Sequence, residues 1–150
     1  MSTAEPVGRP MEILYVEDSI TAAQMTIGAL RSGNVQHRMT WLDDGREAYE
    51  FLMRIGKFAQ APRPDLVLLD LTLPNLDGRE LLKAIRRTPE LQDVPVVILT
   101  ASSDPTDVQI SEELNVQAYL TKPIDLGKFL WLVKELKGYW LKEVILPEVD

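Results

Sequence analysis

Asp70 closes the apolar run Leu66, Val67, Leu68, Leu69, and the chain breaks soon after it at Pro74 and Gly78. A strand buried on both faces reads this way, and it delivers a carboxylate to its C-terminal end, where open α/β sheets bind their ligands. Three more apolar runs end on polar groups. Residues 11–16 lead into Glu17 and Asp18, residues 94–99 into Thr100, and residues 116–120 into Thr121, Lys122 and Pro123. Laid side by side in parallel, these strands gather three acids, a hydroxyl and an ammonium on one rim. A carboxylate can attack phosphorus and hold the phosphoryl group as an acyl phosphate if the repulsion between the two anions is cancelled. Mg²⁺ suits that task, because it takes oxygen ligands in an octahedron and binds through one or two carboxylates while keeping several waters. Asp70 is the expected nucleophile. Asp18 and Asp70 are the expected direct ligands, with Glu17 acting through water. Lys122 and the Thr100 hydroxyl would each take a non-bridging phosphate oxygen.

Each of these residues has an ordinary reading in isolation. Asp70 could belong to a turn or cap, Glu17 and Asp18 could be a charge pair favoured by a helix N-terminus, and Thr100 a β-branched strand residue. Lys122 could be a solvated cation, and Tyr119 packs a core as readily as it acts elsewhere. Convergence of the strand ends favours the chemical reading for the acids, Thr100 and Lys122. His37, the only histidine, precedes an expected strand and has no partner of its own type, so it reads as surface or structural and not as a phosphohistidine. Asp43, Asp44 and Asp77 fall where turns and helix caps are expected.

The elements that must position this rim alternate. Ile20, Ala23, Ile27 and Leu30 follow helical spacing, with Ser32 and Gly33 as a stop. Residues 35–42 form a weaker strand, and Ala48, Phe51, Leu52 and Ile55 mark the inner face of a second helix. Residues 56–64 read as a loop longer than such units usually carry. Leu81, Leu82 and Ile85 define a third helix over residues 78–87, and Pro105 fits the first turn of another, whose apolar residues Val108, Ile110 and Leu114 make a poor stripe. Asp125 can cap the last helix, which carries Leu126, Phe129, Leu130, Val133, Leu136 and Trp140. Five βα units imply a parallel sheet with helices on both faces.

At 150 residues, with 45% hydrophobic and 26% charged side chains, the chain has the size and composition of one globular domain. Cysteine is absent, which excludes disulfides and thiolate metal sites. A net charge of −7 argues against a nucleic-acid surface, and neither an apolar signal core nor a membrane-length run is present, so the expected location is the cytoplasm.

Glu17-Asp18 after the first strand, Asp70 with Pro74 and Gly78, Thr100-Ala101, and Tyr119 with Lys122-Pro123 together resemble the receiver domain of two-component response regulators, the CheY-like group. The likeness covers residues 11–137 and leaves 1–10 and 138–150 as tails. It implies the doubly wound, flavodoxin-like strand order 2-1-3-4-5, for which the CheY fold is a standard example. It further implies the backbone carbonyl of Thr72 as a metal ligand, a switch in which Tyr119 turns inward as Thr100 moves toward phosphate, a cis Lys122-Pro123 bond, and a histidine kinase as phosphoryl donor. The long loop after the second helix and the Trp140-Leu141 pair resemble regulators that accompany phytochrome histidine kinases, which implies a bacteriophytochrome as that kinase and a homodimer. The apolar breadth of the last helix, with Trp131 on another side and Val144, Ile145 and Leu146 beyond, fits the same dimer or a tail folded back on its own protomer.

No stretch after the last helix is long enough for a DNA-binding or catalytic domain, so output is expected through contact with another chain or as a phosphate shuttle or sink. Two other classes compete. A haloacid-dehalogenase-type phosphatase also begins with Asp at a strand end but usually carries a second Asp two residues on, and that position is Thr72. A receiver-shaped interaction module that takes no phosphate would not need all of these site residues.

Overall fold

The computed structural model describes residues 9–33, 36–71, 73–100, 109, 113, 118–122 and 124–135. Strands β1 (Met11–Val16), β2 (His37–Leu42), β3 (Leu66–Asp70), β4 (Val96–Thr100) and β5 (Ala118–Thr121) form one parallel sheet in the order β2-β1-β3-β4-β5. Helices α1 (Ile20–Ser32), α2 (Gly45–Met53), α3 (Gly78–Arg87) and the last helix, Leu126–Glu135, cover it. This is the parallel α/β sheet that the alternating pattern predicts, in the doubly wound strand order that the resemblance implies.

Alternation along the strands sorts the core into two layers. Ile13, Tyr15, Leu66, Leu68, Val97 and Leu99 face α1 and the last helix, meeting Ala23, Leu30, Phe129 and Val133. Leu14, Val16, Val67, Leu69, Val96 and Ile98 face α2 and α3, meeting Phe51, Leu52, Leu81, Leu82 and Ile85. With both faces buried, a one-residue slip would exchange the two layers, so the packing holds the register. That register pairs Val16 with Leu69 and Asp70 with Leu99, which sets the ends of β1, β3 and β4 level on one rim.

Several boundaries and facing residues differ from expectation. Ile20 is 63% exposed and does not join the inner stripe, which runs through Ala23, Thr26 and Leu30. Ile20 is the first helical residue after the Ser19 cap, and only from Ala23 onward does α1 lie over the sheet. Ile55 leaves α2, because Arg54 adopts a left-handed φ of 56° and ends the helix before it. Gly33 does stop α1, but at φ −78°; a Cβ there would come within 2.6 Å of the Leu126 side chain, so its smallness serves packing against the last helix. His37 is the first residue of β2 and does not precede it. β4 starts at Val96 and not at Val94, because the Val94 N–H closes a turn onto the Leu91 carbonyl at 3.0 Å. The long loop contains a short 3-10 turn, Gly56–Phe58. Asp44, Asp77 and Asp125 accept backbone N–H bonds at the starts of α2, α3 and the last helix, as read from the sequence. The expected helix after Pro105 lies largely outside the described residues, as do residues 136–150; Gln109 and Glu113 are helical.

Candidate functional site

Strand ends converge where the sequence places its acids. Glu17 is 0% exposed and Asp70 8%, while Asp18 is exposed beside them. One carboxylate oxygen from each of these three residues lies within 4.8 Å of the other two. Lys122, just past β5, reaches across the rim and binds two acids at once, with Nζ 2.8 Å from Asp70 Oδ2 and 2.6 Å from Glu17 Oε1.

The surroundings hold Glu17 from several sides. The Ser19 backbone N–H donates to Glu17 Oε2 at 3.2 Å, while the Ser19 hydroxyl caps α1. Tyr15 OH lies 3.4 Å from Glu17 Oε1 and 3.2 Å from Thr26 Oγ1, all three within the buried layer under α1. Trp41 Nε1 donates to the Glu17 carbonyl at 2.8 Å. Behind Asp70, Gly78 lets α3 come against the loop: a Cβ there would lie 2.4 Å from the Asp70 carbonyl oxygen, and the Gly78 N–H donates to Leu71 O at 3.0 Å. No side chain could occupy that position without displacing the backbone that carries Asp70.

The charges respond to this enclosure. Burial pushes the Glu17 carboxyl above its usual range and the neighbouring Asp70 adds to the rise, with Lys122 pulling the other way. Burial acts against the Lys122 ammonium, but Asp70 and Glu17 outweigh it and hold the amine above its ordinary value. Burial likewise raises the Tyr15 phenol, which stays protonated and available as a donor.

This donor set is consistent with Mg²⁺. Among the described residues its side-chain ligands are all carboxylate oxygens with no soft donor beside them, and the exposed Asp18 leaves room for the waters Mg²⁺ retains.

Glu17, Asp18, Asp70 and Lys122 thus come together as the sequence predicts. Thr100 ends β4 opposite Thr121, and Tyr119 lies in β5 opposite Ile98, but the side chains of Thr100 and Tyr119 lie outside the described residues, as do Thr72 and Pro123 with its expected cis bond. Sequence reasoning missed the second contact of Lys122 and the roles of Tyr15, Thr26 and Trp41. Tyr15 carried a usable signal: two residues before Glu17 in an extended strand, it must share a face with it. Trp41 carried none, since its place depends on the β1–β2 register.

The sheet is doubly wound, with a lysine and three carboxylates at the ends of β1, β3 and β5, and the chain belongs to the response regulator receiver domain family, whose model matches residues 13–134. It is a response regulator of two-component signalling. Its relatives include response regulator Rcp1 of Synechocystis sp. (strain ATCC 27184 / PCC 6803 / Kazusa), 41% identical over 138 residues that span 92% of this chain and 94% of Rcp1. The crystal structure of the Mn²⁺-bound form of Rcp1 superposes with a TM-score of 0.73 over 93% of this chain and 100% of the other. The phosphorylated cyanobacterial phytochrome response regulator RcpA, 38% identical, superposes with a TM-score of 0.74 over 93% of this chain and 99% of its own.

Proposed function

We propose that the protein accepts a phosphoryl group from a histidine kinase on Asp70 and signals through the conformational change that follows. The observation that carries this reading is the Lys122 ammonium, 2.8 Å from an Asp70 carboxylate that a wholly buried strand delivers to the acidic rim. An Asp70 oxygen attacks phosphorus, forming a P–O bond as the P–N bond of the donor phosphohistidine breaks, and the departing imidazole takes up a proton. Asp18 and Asp70 would hold Mg²⁺ directly, Glu17 through water and Thr72 by its backbone carbonyl, and the ion would supply the positive charge that lets two anions meet. Lys122 then exchanges its Asp70 contact for a phosphoryl oxygen, and the Thr100 hydroxyl takes another. Displacement of Thr100 frees space that Tyr119 fills, biasing populations that already exist.

A bacteriophytochrome is the kinase this reading favours, supported by the likeness to the phytochrome response regulator RcpA along nearly the whole chain. The receiver unit runs over residues 11–137, and a homodimer forms through the last helix and residues 138–150; Trp131, 59% exposed on that helix, supports an apolar contact there. Sedimentation of the chain cut after Lys137 separates such an interface from a tail folded back on its own protomer. The protein is a phosphoacceptor that promotes its own phosphotransfer and aspartyl-phosphate hydrolysis and does not turn over small phosphoesters, supported by Thr72 standing where a dehalogenase-type phosphatase places its acid. A cytoplasmic location fits the cysteine-free composition, and among the described residues no helix is long and apolar enough to cross a membrane. The net charge of −7 supports partners other than nucleic acid.

Intact-mass measurement after incubation with acetyl phosphate tests the core of this reading. One added phosphoryl group that requires Mg²⁺ is the expected result. No gain with Mg²⁺ present would leave an interaction module that takes no phosphate.

A further inference from the structure

Glu17 is the first residue past β1, yet both polar atoms of its backbone are held by β2. Its N–H donates to the Leu42 carbonyl at 3.0 Å, continuing the sheet's ladder, a bond any residue at position 42 would provide. The Glu17 carbonyl is different: its partner is the Trp41 side chain, with Nε1 at 2.8 Å. The register pairs Trp41 with Tyr15, so the indole lies on the α1 side of the sheet, packed against the core beside Ile13 and Tyr15 with its N–H aimed at the rim. Half-buried and with only two side-chain torsions, it is a stiff donor.

The carbonyl of Glu17 and the amide nitrogen of Asp18 belong to one planar peptide. Holding that oxygen therefore fixes the plane from which Asp18 departs, and Asp18 is the exposed member of the carboxylate cluster, the one least confined by packing. We propose that Trp41 is a positioning residue of the cation site: its indole N–H orients the Glu17–Asp18 peptide and so pre-sets the Asp18 carboxylate for the metal. The inference rests on the reading of Asp18 as a direct ligand. A Trp41 that merely filled the core would set stability and leave metal affinity alone, and this difference makes the two roles separable.

Two variants of the full chain isolate the N–H. Trp41→Phe removes it with part of the ring, and Trp41→benzothienylalanine replaces it by sulfur in a side chain of the same shape, which guards against a fold defect in the first. Mg²⁺ affinity by calorimetry, and the Mg²⁺ dependence of modification by acetyl phosphate, are compared with wild type and with Asp18→Asn. Loss of one well-formed hydrogen bond should raise the half-saturating Mg²⁺ concentration by about threefold to tenfold. The rate at saturating Mg²⁺ should stay near that of wild type, because the acceptor carboxylate is untouched. Wild-type Mg²⁺ affinity in the benzothienylalanine variant, with Asp18→Asn clearly weakened, would overturn the role of Trp41 and leave the site reading standing. Unchanged affinity in Asp18→Asn would overturn the ligand assignment and the inference with it.

Discussion

Both ends of this sheet carry acids, and they have different uses. At the C-terminal rim, Glu17 and Asp70 are buried, Asp18 stands beside them, and one lysine bridges the two buried acids. At the opposite end, Asp65, Glu90 and Asp93 line a cleft with Pro64, Pro89 and Pro95. There Asp65 is committed to structure: it accepts from Arg9 Nη2 at 2.7 Å and from the Glu12 N–H at 2.8 Å. Glu90 and Asp93 are exposed, and the acids of that end do not form a group able to share a metal ion among the described residues. Acid count is therefore a poor guide to chemistry. The Asp65 side chain is as shielded as that of Asp70, so what separates the two ends is strand register, which levels the Glu17 and Asp70 carboxylates beside one lysine, whereas Asp65 is spent on Arg9 and the Glu12 N–H.

Removing the cation from the rim should have the largest effect on stability. Lys122→Met leaves Glu17 and Asp70 facing each other without compensation, and denaturant unfolding in chelator should show a loss of about 2 kcal/mol. Added Mg²⁺ should recover much of that loss and should bind the variant more tightly than wild type, since a competing ammonium is gone. Equal stabilisation of both proteins by Mg²⁺ would mean that Lys122 and the metal do not share the carboxylates.

At the other end the same kind of change should be metal-blind. Asp65→Ala deletes a partly exposed ion pair and the side-chain acceptor of the Glu12 N–H, so a loss of about 1 kcal/mol is expected, with Mg²⁺ affinity and phosphoryl gain unaltered. Any weakening of Mg²⁺ binding in that variant would erase the distinction between the ends.

Asp44 sharpens the comparison further, because it belongs to α2 near the functional rim yet acts as a cap. Slight burial favours its neutral form, but the Asn75 amide and the N–H groups of Glu47 and Arg46 outweigh this and lower its pKa. The folded state thus prefers the charged form, and the stabilisation is present above the unfolded pKa and lost as pH falls through the lower folded one. Asp44→Ala should cost about 1 kcal/mol at neutral pH. The gap from wild type should close as acid protonates the cap, and a gap that holds its size through the carboxylate range would assign the loss to packing instead.

How much of this was readable beforehand follows from what each feature depends on. Asp70, Glu17, Asp18 and Lys122 were legible because apolar runs end on them, and a parallel sheet brings run ends together whatever the details. The starts of strands were less legible: Val94 looks like strand by composition, yet its N–H is spent on a turn to Leu91. Ile20 matches helical spacing, but spacing does not say where a helix begins to overlie the sheet. The cradle of Tyr15, Thr26 and Trp41 around Glu17 needed both the β1–β2 register and the rotation of α1, which only packing settles.

The central claim is that Asp70 carries the phosphoryl group, and chemical trapping reads it out by residue. Acetyl phosphate with Mg²⁺, followed by borohydride reduction, converts an aspartyl phosphate to homoserine, which peptide mass mapping locates. Homoserine at position 70 in the wild-type chain, and none in Asp70→Asn, is the predicted result. Homoserine at Asp18 or another carboxylate, or phosphate retained by Asp70→Asn at the wild-type level, would contradict it.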